Sequence, residues 1–274
     1  MRILAARRVL SADKRGSSWP VLVETEDGLL FTKLRGAAQG TGALVAEVIV
    51  AELAEALGLR VPARSLVRLG ADIDSVDKND ELADLLRASE GLNLGFAYLD
   101  DARNFAAAGD VEMVTVEEAA KILWLDGLSS NPDRTARNTN LLWWRDALWL
   151  IDHGAALAFQ YSLPDIDPAA SRRPYTVREP HLLESRVPDL AAWDAAFAGL
   201  VPREVIERAV AQVPDEFLEP LLGDGRDSAL GERRLAYVEF FCNRLAEPRP
   251  FLERVLVQVS QRPRRGRPAW LDPR

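Results

Sequence analysis

Alternating apolar and polar residues dominate the first 36 positions and predict a small sheet. Residues 2–10 (RILAARRVL) and 20–36 (PVLVETEDGLLFTKLRG) alternate in this way, and Glu26-Asp27-Gly28 lies between two apolar runs as a hairpin turn does. A polar segment, SADKRGSSW, separates the two stretches. The pattern predicts three antiparallel strands joined by two connections.

The next segments change between helical and strand periodicity. Residues 42–57 (GALVAEVIVAELAEAL) are rich in helix formers with apolar residues at helical spacing, and Gly58 follows as a stop. Residues 61–69 (VPARSLVRL) predict another strand, and residues 72–88 a loop followed by a short amphipathic helix. The apolar stretch at residues 95–99 then leads into a polar, Ala-rich segment, which marks the end of this part of the chain.

Helical signals dominate from Thr115 onward. Thr115-Val-Glu-Glu matches a helix N-cap with a capping box before AAKILWLDGL. The apolar runs LLWW and ALWLI flank Arg145-Asp146 and predict a short hairpin, whereas residues 162–180, rich in Pro, Asp, Ser and Arg, predict a long loop. Further helices are predicted at 191–200, 202–213, 214–222 and 231–248, several of them begun or ended by Pro.

Together these elements predict an α+β fold with two lobes. Residues 1–100 are expected to form a small antiparallel β-sheet lobe with one helix, and residues 101–260 a larger, mainly helical lobe. The tail, residues 261–274, is basic and Pro-rich, and we expect it to be poorly ordered.

Composition excludes several classes of protein. The chain has 274 residues, of which 48% are hydrophobic, so it can bury a sizeable core. Its net charge of -8 argues against a surface for nucleic acid. One cysteine, Cys242, excludes a disulfide within the chain, and two histidines, His153 and His181, exclude a His-rich zinc site.

The sequence also predicts no insertion into a membrane. No apolar run reaches the roughly 18 residues that a membrane-spanning helix needs. The N-terminus, MRILAARRVLSADKR, lacks the apolar core of a signal peptide. We therefore expect a cytoplasmic protein.

The distribution of polar residues in the small lobe suits phosphoryl transfer from ATP. That reaction needs a cation on the phosphates, a carboxylate near the attacking hydroxyl and oxygen ligands for Mg²⁺. Lys33 lies in an apolar strand, and Glu47 lies in the following helix, where its carboxylate can pair with the ammonium group. The loop from Ser11 to Ser18 offers backbone N–H groups and small side chains for a phosphate cradle, with Ser17 and Ser18 as candidate nucleotide contacts.

The larger lobe supplies the remaining groups around its predicted hairpin. Asp133 and Asn138 lie five positions apart in a loop after a helix, and Asp152 follows the hairpin in Leu-Ile-Asp-His-Gly. Asp133 is suited to orient an acceptor hydroxyl and take its proton. Asn138 can offer a carbonyl oxygen to Mg²⁺ and Asp152 an anionic ligand, while Gly154 lets the backbone turn away.

These residues resemble the HipA-like kinases, distant relatives of the phosphatidylinositol kinases and of eukaryotic protein kinases. The resemblance covers roughly residues 2–160. It depends on Asp133-Arg-x-x-x-Asn138, on Ile151-Asp152-His-Gly, on Lys33 with Glu47, and on Ala-Leu-Gly-Leu-Arg-Val-Pro at 56–62. The sequence contains no GxGxxG loop, no His-Arg-Asp and no Asp-Phe-Gly, so the usual protein-kinase signatures are absent.

The resemblance implies a two-lobed kinase-like fold and a role for each residue. Lys33 is implied to contact the phosphates of ATP, Glu47 to pair with Lys33, and Asp133 to be the catalytic base. Asn138 and Asp152 are implied to bind Mg²⁺. Adenine contacts are implied in the stretch between the lobes, where the candidates are Phe96, Tyr98 and Leu99.

Each element also has an ordinary structural interpretation. A Lys in a strand is often an edge residue with an exposed ammonium group, and Asp152 could be a turn residue before Gly154. The order of the five residues along the chain favours the catalytic interpretation. The leading hypothesis is an ATP- and Mg²⁺-dependent serine/threonine protein kinase with an unknown protein substrate. A small-molecule or lipid kinase of the same fold and a non-catalytic nucleotide-binding interaction module are the alternatives, so the sequence leaves the acceptor open.

Overall fold

The structure, a computed structural model, describes residues 1–12, 19–161, 168–222 and 229–257. It has the predicted α+β composition. The strands are β1 (Ile3–Ala5), β2 (Arg8–Ala12), β3 (Val21–Thr25), β4 (Gly28–Lys33), β5 (Arg64–Leu69), β6 (Asp74–Ser75), β7 (Gly91–Ala97), β8 (Arg103–Asn104), β9 (Leu141–Trp144), β10 (Ala147–Leu150), β11 (Tyr175–Val177) and β12 (Arg254–Leu256). The helices are α1 (Gly40–Ala56), α2 (Asp80–Ala88), α3 (Ala107–Asp110), α4 (Val116–Ser129), α5 (Ala191–Leu200), α6 (Arg203–Ala211), α7 (Asp215–Leu218) and α8 (Ala229–Leu245).

The first sheet is mixed rather than purely antiparallel, and its strand order is β1-β5-β7-β4-β3-β2-β6. The single strand predicted over residues 2–10 is two strands, because the chain changes partners between them. The Ala6 N–H donates to the carbonyl of Arg68 at 2.9 Å, whereas the Arg7 N–H donates to that of Glu24 at 2.8 Å. As a result β1 pairs in parallel with β5, while β2 pairs antiparallel with β3 and in parallel with β6.

Helix α1 occupies the centre of the molecule. It begins two residues before the predicted start, and 13 of its 17 residues are buried. A helix that is apolar on all sides must be covered on all sides. One hydrophobic core joins α1 to β5 and β7 through Leu66 and Leu94, and to α4 through Leu123. Helices α6 and α7 also contact α1, so this helix connects the sheet to the helical part of the chain.

The opposite face of the sheet packs on α2. A second hydrophobic core there contains Val23 and Leu30 from the sheet and Leu82 and Leu86 from α2. Helix α2 is the short amphipathic helix predicted within residues 72–88, so residues 1–100 contain two helices, α1 and α2. The Asn79 side chain caps α2 by accepting the Leu82 N–H at 3.1 Å.

Gly95 in β7 allows this core to close against the sheet. A Cβ at Gly95 would lie 2.6 Å from Val67 Cγ2 and 3.0 Å from Leu30 Cδ1. We expect Gly95→Ala to lower the free energy of unfolding by about 1–3 kcal/mol, because the added methyl forces buried neighbours apart. Urea denaturation followed by circular dichroism measures the change. Gly70→Ala is the control, since a Cβ there meets nothing within 4 Å, and equal losses in the two variants would contradict the packing explanation.

The predicted hairpin is confirmed in the second part of the chain. Strands β9 and β10 pair antiparallel from Leu141 with Leu150 to Trp144 with Ala147. Arg145 and Asp146 form the turn with φ of 50° and 57°, the left-handed values that a two-residue hairpin turn requires. Strand β8 joins β9 to complete a three-stranded sheet.

Most of the predicted helices are present. The Thr115 hydroxyl caps α4 by accepting the Glu118 N–H at 3.2 Å, as the capping motif predicts. The long loop predicted over residues 162–180 is wrong for its second half, because Pro168–Arg172 form a 3-10 helix and β11 pairs in parallel with β12. That strand partner lies far along the chain, so local composition did not reveal it. Residues 162–167 and the tail from 261 lie outside the described residues.

Within the described ranges, no helix is long and apolar enough to cross a membrane.

Candidate active site

Lys33 is the point where three elements meet. It is the last residue of β4, and its Nζ contacts Oε1 of Glu47 on α1 and Oδ1 of Asp152 after β10, the latter at 2.5 Å. Lys33 is 8% exposed and Glu47 is fully buried. A buried ammonium group is stable in this place because two carboxylates surround it. The structure therefore brings together three residues that lie up to 119 positions apart.

The charged groups of this cluster shift one another's pKa values. Burial alone would lower the pKa of Lys33, but Glu47 and Asp152 outweigh it and hold the pKa above its usual range. Burial alone would raise the pKa of Asp152, but Lys33 outweighs it and holds the pKa below its usual range. Burial raises the pKa of Glu47 despite the opposing charge of Lys33. At neutral pH the cluster thus presents a cationic lysine beside an ionised Asp152.

A cavity of about 360 Å³ opens beside Lys33 and Asp152. Phe31 lies on the same face of β4 as Lys33, two positions earlier, and is the cross-strand partner of Phe96 on β7. The cavity is thus charged at one end and mainly apolar elsewhere, a combination typical of small-molecule sites. The candidate adenine contacts Phe96, Tyr98 and Leu99 all line it. The full lining is Pro20, Phe31, Lys33, Pro62, Phe96, Ala97, Tyr98, Leu99, Ala102, Asn104, Leu142, Ile151 and Asp152.

Asp133 and Asn138 lie together in the loop that follows α4. Asn138 Nδ2 donates to Asp133 Oδ2 at 2.8 Å. The Asp133 N–H donates to Asn131 Oδ1 at 3.2 Å, and the Thr135 N–H donates to the carbonyl of Asn138 at 2.9 Å. Asp133 is partly exposed and Asn138 is exposed, so this carboxylate can be reached from solvent.

The two predicted metal ligands, Asn138 and Asp152, are not joined directly. Among the described residues no hydrogen bond links them, and no group of three or more His, Cys, Asp or Glu side chains is arranged to hold a metal. A carboxylate and an amide carbonyl still suit Mg²⁺, which commonly takes one or two protein oxygens and completes its shell with phosphate and water. The donor set therefore fits a magnesium ion bound together with a nucleotide.

Two predicted contacts, Ser17 and Ser18, lie outside the described residues, as does most of the loop from Ser11 to Ser18.

A buried network beneath the loop was missed by the sequence analysis. Asp126 on α4 is fully buried and accepts from Arg134 Nε at 2.6 Å and from His181 Nε2 at 2.9 Å. The Leu183 N–H donates to His181 Nδ1 at 3.1 Å, which leaves the ring proton on Nε2. Burial alone would raise the pKa of Asp126, but Arg134 and His181 hold it well below its usual range. The one sequence signal was a lone acid in the apolar helix AAKILWLDGL.

His153 has a different environment from its neighbour Asp152. Its ring is fully buried, and in the described part of the chain neither ring nitrogen has a hydrogen-bond partner. Burial lowers the pKa of His153 to about 3. The ring is therefore neutral at physiological pH, which favours a structural role over proton transfer.

Comparisons with known sequences and structures relate the chain to other proteins. No curated protein sequence matches the chain. Among solved structures, the chain is similar to the crystal structure of a Helicobacter pylori proinflammatory kinase, CtkA, with a TM-score of 0.47 and 13% sequence identity over 89% of this chain and 98% of that chain. The sequence model of the HipA-like kinases matches residues 6–167, more than half of the chain. The chain therefore belongs to the HipA-like kinase family.

Proposed function

We propose that the chain is an ATP- and Mg²⁺-dependent protein kinase that phosphorylates serine or threonine. The observation that carries this proposal is the contact of Lys33 with both Glu47 and Asp152 at the charged end of the cavity. A nucleotide placed there has its base among the apolar residues and its phosphates at Lys33. The two predicted lobes fit this placement, because Phe31 and Phe96 line the cavity from residues 1–100 and Leu142 and Ile151 line it from residues 101–260.

Each of the five predicted residues then has one task. Lys33 neutralises phosphate oxygens, and Glu47 keeps the ammonium group in place from its buried position. Asp152 and Asn138 would hold Mg²⁺, which when bound offsets the negative charge of the phosphates. Asp133 accepts the proton of the acceptor hydroxyl. At the same time the hydroxyl oxygen forms a bond to the terminal phosphorus, and the bond from that phosphorus to the oxygen that leaves with ADP breaks.

The exposure of the loop around Asp133 supports a polypeptide acceptor. Arg137 and Asn138 are exposed, and the ion pair of Arg137 with Glu179 lies at the surface. Asp133 is not among the residues that line the cavity. A side chain on another protein can therefore approach Asp133 from solvent without entering an enclosed site. ATP is a cytoplasmic substrate, so this function also agrees with the expected cytoplasmic location.

Transfer of labelled phosphate from ATP tests the proposal. The purified chain is incubated with γ-labelled ATP and Mg²⁺ and with a protein lysate, an aminoglycoside or a phosphoinositide, and the labelled product is identified by mass spectrometry. We expect label on serine or threonine of a protein, and a rate of labelling about 10²–10⁴-fold lower with Asp133→Asn. Label on the aminoglycoside or lipid alone would replace the proposal with a small-molecule or lipid kinase. Nucleotide binding without transfer to any acceptor would indicate a non-catalytic module.

Filling the cavity with a larger side chain tests whether the nucleotide binds there. Leu142 is half-buried, lines the cavity and lies on β9. We expect Leu142→Trp to weaken ATP binding about tenfold or more, a change of ~1.4 kcal/mol, because the indole occupies space that the base needs. Titration with a fluorescent ATP analogue measures the affinity. Leu200→Trp is the control, since Leu200 is 45% exposed at the end of α5. Unchanged affinity in Leu142→Trp would remove this cavity from the nucleotide site.

A further inference from the structure

Asn140 connects the two acidic elements of the site. Its carbonyl accepts the Ile151 N–H at 3.1 Å and Arg134 Nη1 at 2.5 Å. Its side-chain Nδ2 donates to the carbonyl of Asp133 at 3.2 Å and to that of Asp152 at 3.5 Å. One residue thus contacts both Asp133 and Asp152 and one sequence neighbour of each. Its own position is between them, where the loop enters β9.

The structure of this position suits asparagine. Asn140 is 7% exposed and has a φ of 49°, in the left-handed region that Asn enters more readily than most residues with a side chain. A side-chain amide has two N–H donors, which is the number needed for two carbonyl oxygens. Both the backbone and the side chain of Asn140 are therefore used.

The anchor for this connection is the buried network on α4. Arg134 is 1% exposed and is held by Asp126, which is fully buried. Because the guanidinium group that binds the Asn140 carbonyl is itself fixed, Asn140 has a defined position relative to α4. Asp152 follows a different element, β10. The Asn140 side chain binds its carbonyl, so the position of Asp152 is also fixed relative to the buried Asp126–Arg134 pair.

We propose that Asn140 is a positioning residue that sets the location of the proton-accepting Asp133 relative to the metal-binding Asp152. The inference depends on the roles proposed for these two aspartates. Phosphoryl transfer requires the attacking oxygen, the phosphorus and the leaving oxygen to lie nearly in line. Asn140 meets this requirement by binding the main-chain carbonyls of both aspartates, so it does not occupy their carboxylates.

The test is Asn140→Gly, which accepts a positive φ and keeps the backbone carbonyl while removing the side-chain amide. We expect kcat to fall about 10–100-fold, the range usual for partners that orient metal ligands and reacting groups. The Mg²⁺ concentration for half-maximal activity should rise, while the affinity for Mg²⁺-free ATP stays at the parent value. If Asn140 had only a structural role, the variant would have a lower unfolding temperature. Its folded molecules would then need the same Mg²⁺ concentration for half-maximal activity as the parent.

A matched variant controls for the backbone conformation. Asp146→Gly makes the same kind of change at the other end of this hairpin, where Asp146 is exposed and has a φ of 57°. It should keep the parent kcat and Mg²⁺ dependence. If Asn140→Gly does not fold, Asn140→Asp replaces it, because Asp tolerates the same φ but its carboxylate has no N–H to donate.

The outcomes separate this inference from the proposed function. If Asp133→Asn is inactive while Asn140→Gly and Asn140→Asp keep the parent kcat and Mg²⁺ dependence, the positioning role is overturned and the proposed function stands. If Asp133→Asn keeps full activity, the proposed function fails and the positioning role fails with it. A lowered kcat with a raised Mg²⁺ requirement in the Asn140 variants, and not in Asp146→Gly, supports the inference.

Discussion

Replacing Asp133 by asparagine is expected to reduce phosphoryl transfer by a factor of about 10²–10⁴, the usual contribution of a general base. The amide has nearly the shape of the carboxylate but cannot take the proton of the acceptor hydroxyl. Asp133 Oδ2 accepts from Asn138 Nδ2, and an asparagine oxygen can accept the same bond, so the loop should keep its conformation. Nucleotide affinity should stay at the parent value, because Asp133 does not line the cavity.

Initial rates with saturating ATP, together with the dissociation constant of a fluorescent ATP analogue, measure the two effects separately. Asp146→Asn is the matched control, since Asp146 is an exposed aspartate in the turn of the hairpin that follows the same loop. Parent activity in Asp133→Asn would show that another group accepts the proton. An equal loss in Asp146→Asn would show that the assay reports a general effect of the substitution.

Replacing Lys33 by methionine is expected to affect both activity and stability. Loss of the cation that faces the phosphates should lower kcat about 10²–10³-fold, as the removal of one charge-stabilising donor does in other enzymes. Stability should fall by about 3–5 kcal/mol, because fully buried Glu47 loses the partner that balances its charge. Asp152 is more exposed and regains water, so it adds little to this loss.

The double variant Lys33→Met/Glu47→Leu distinguishes the two effects. Apolar groups of similar size in place of a buried ion pair are often neutral or stabilising, so stability should return towards that of the parent while activity stays lost. Urea denaturation and labelled-phosphate transfer measure the two quantities. A double variant with parent activity would exclude Lys33 from catalysis. If Lys33→Met were as stable as the parent, the unbalanced charge of Glu47 would not destabilise the fold, and this explanation would be excluded.

The difference in the free energy of unfolding between Lys33→Met and Lys33→Met/Glu47→Leu, the stability gap, should depend on pH. Burial raises the pKa of Glu47 even beside Lys33, and removal of the lysine takes away the charge that opposes this shift. The folded single variant then binds a proton at Glu47 more tightly than the unfolded chain does, so lowering the pH stabilises its folded form. The gap should therefore be widest above the folded pKa of Glu47 and should narrow as the pH falls towards the ordinary carboxyl range. A gap independent of pH would contradict this explanation.

Much of the local structure could be predicted because its causes lie within a few residues. The turn at Arg145-Asp146, the cap at Thr115 and the buried helix around Glu47 each depend on residues next to one another in the chain. The pairing of Lys33 with Glu47 was predicted from the chemical demands of phosphoryl transfer and from a family resemblance, not from a local pattern, and Asp152 was predicted as a metal ligand rather than as a partner of Lys33. The structure places the three in contact, while their catalytic roles stay predictions.

Other features were decided only by the tertiary structure. The break between β1 and β2 arises because Ala6 bonds to Arg68 while Arg7 bonds to Glu24. Asp126 gains its importance from Arg134 and His181, the latter 55 positions away.

Asn140 combines one feature that the sequence predicts with contacts that only the tertiary structure creates. Its place before a strand is readable from the sequence, but its contacts with both Asp133 and Asp152 exist only once β9 and β10 have folded back on the loop. Local patterns report the conformational preferences of neighbouring residues, whereas strand partners, buried charges and the alignment of an active site depend on groups that only the packed chain brings within hydrogen-bond distance.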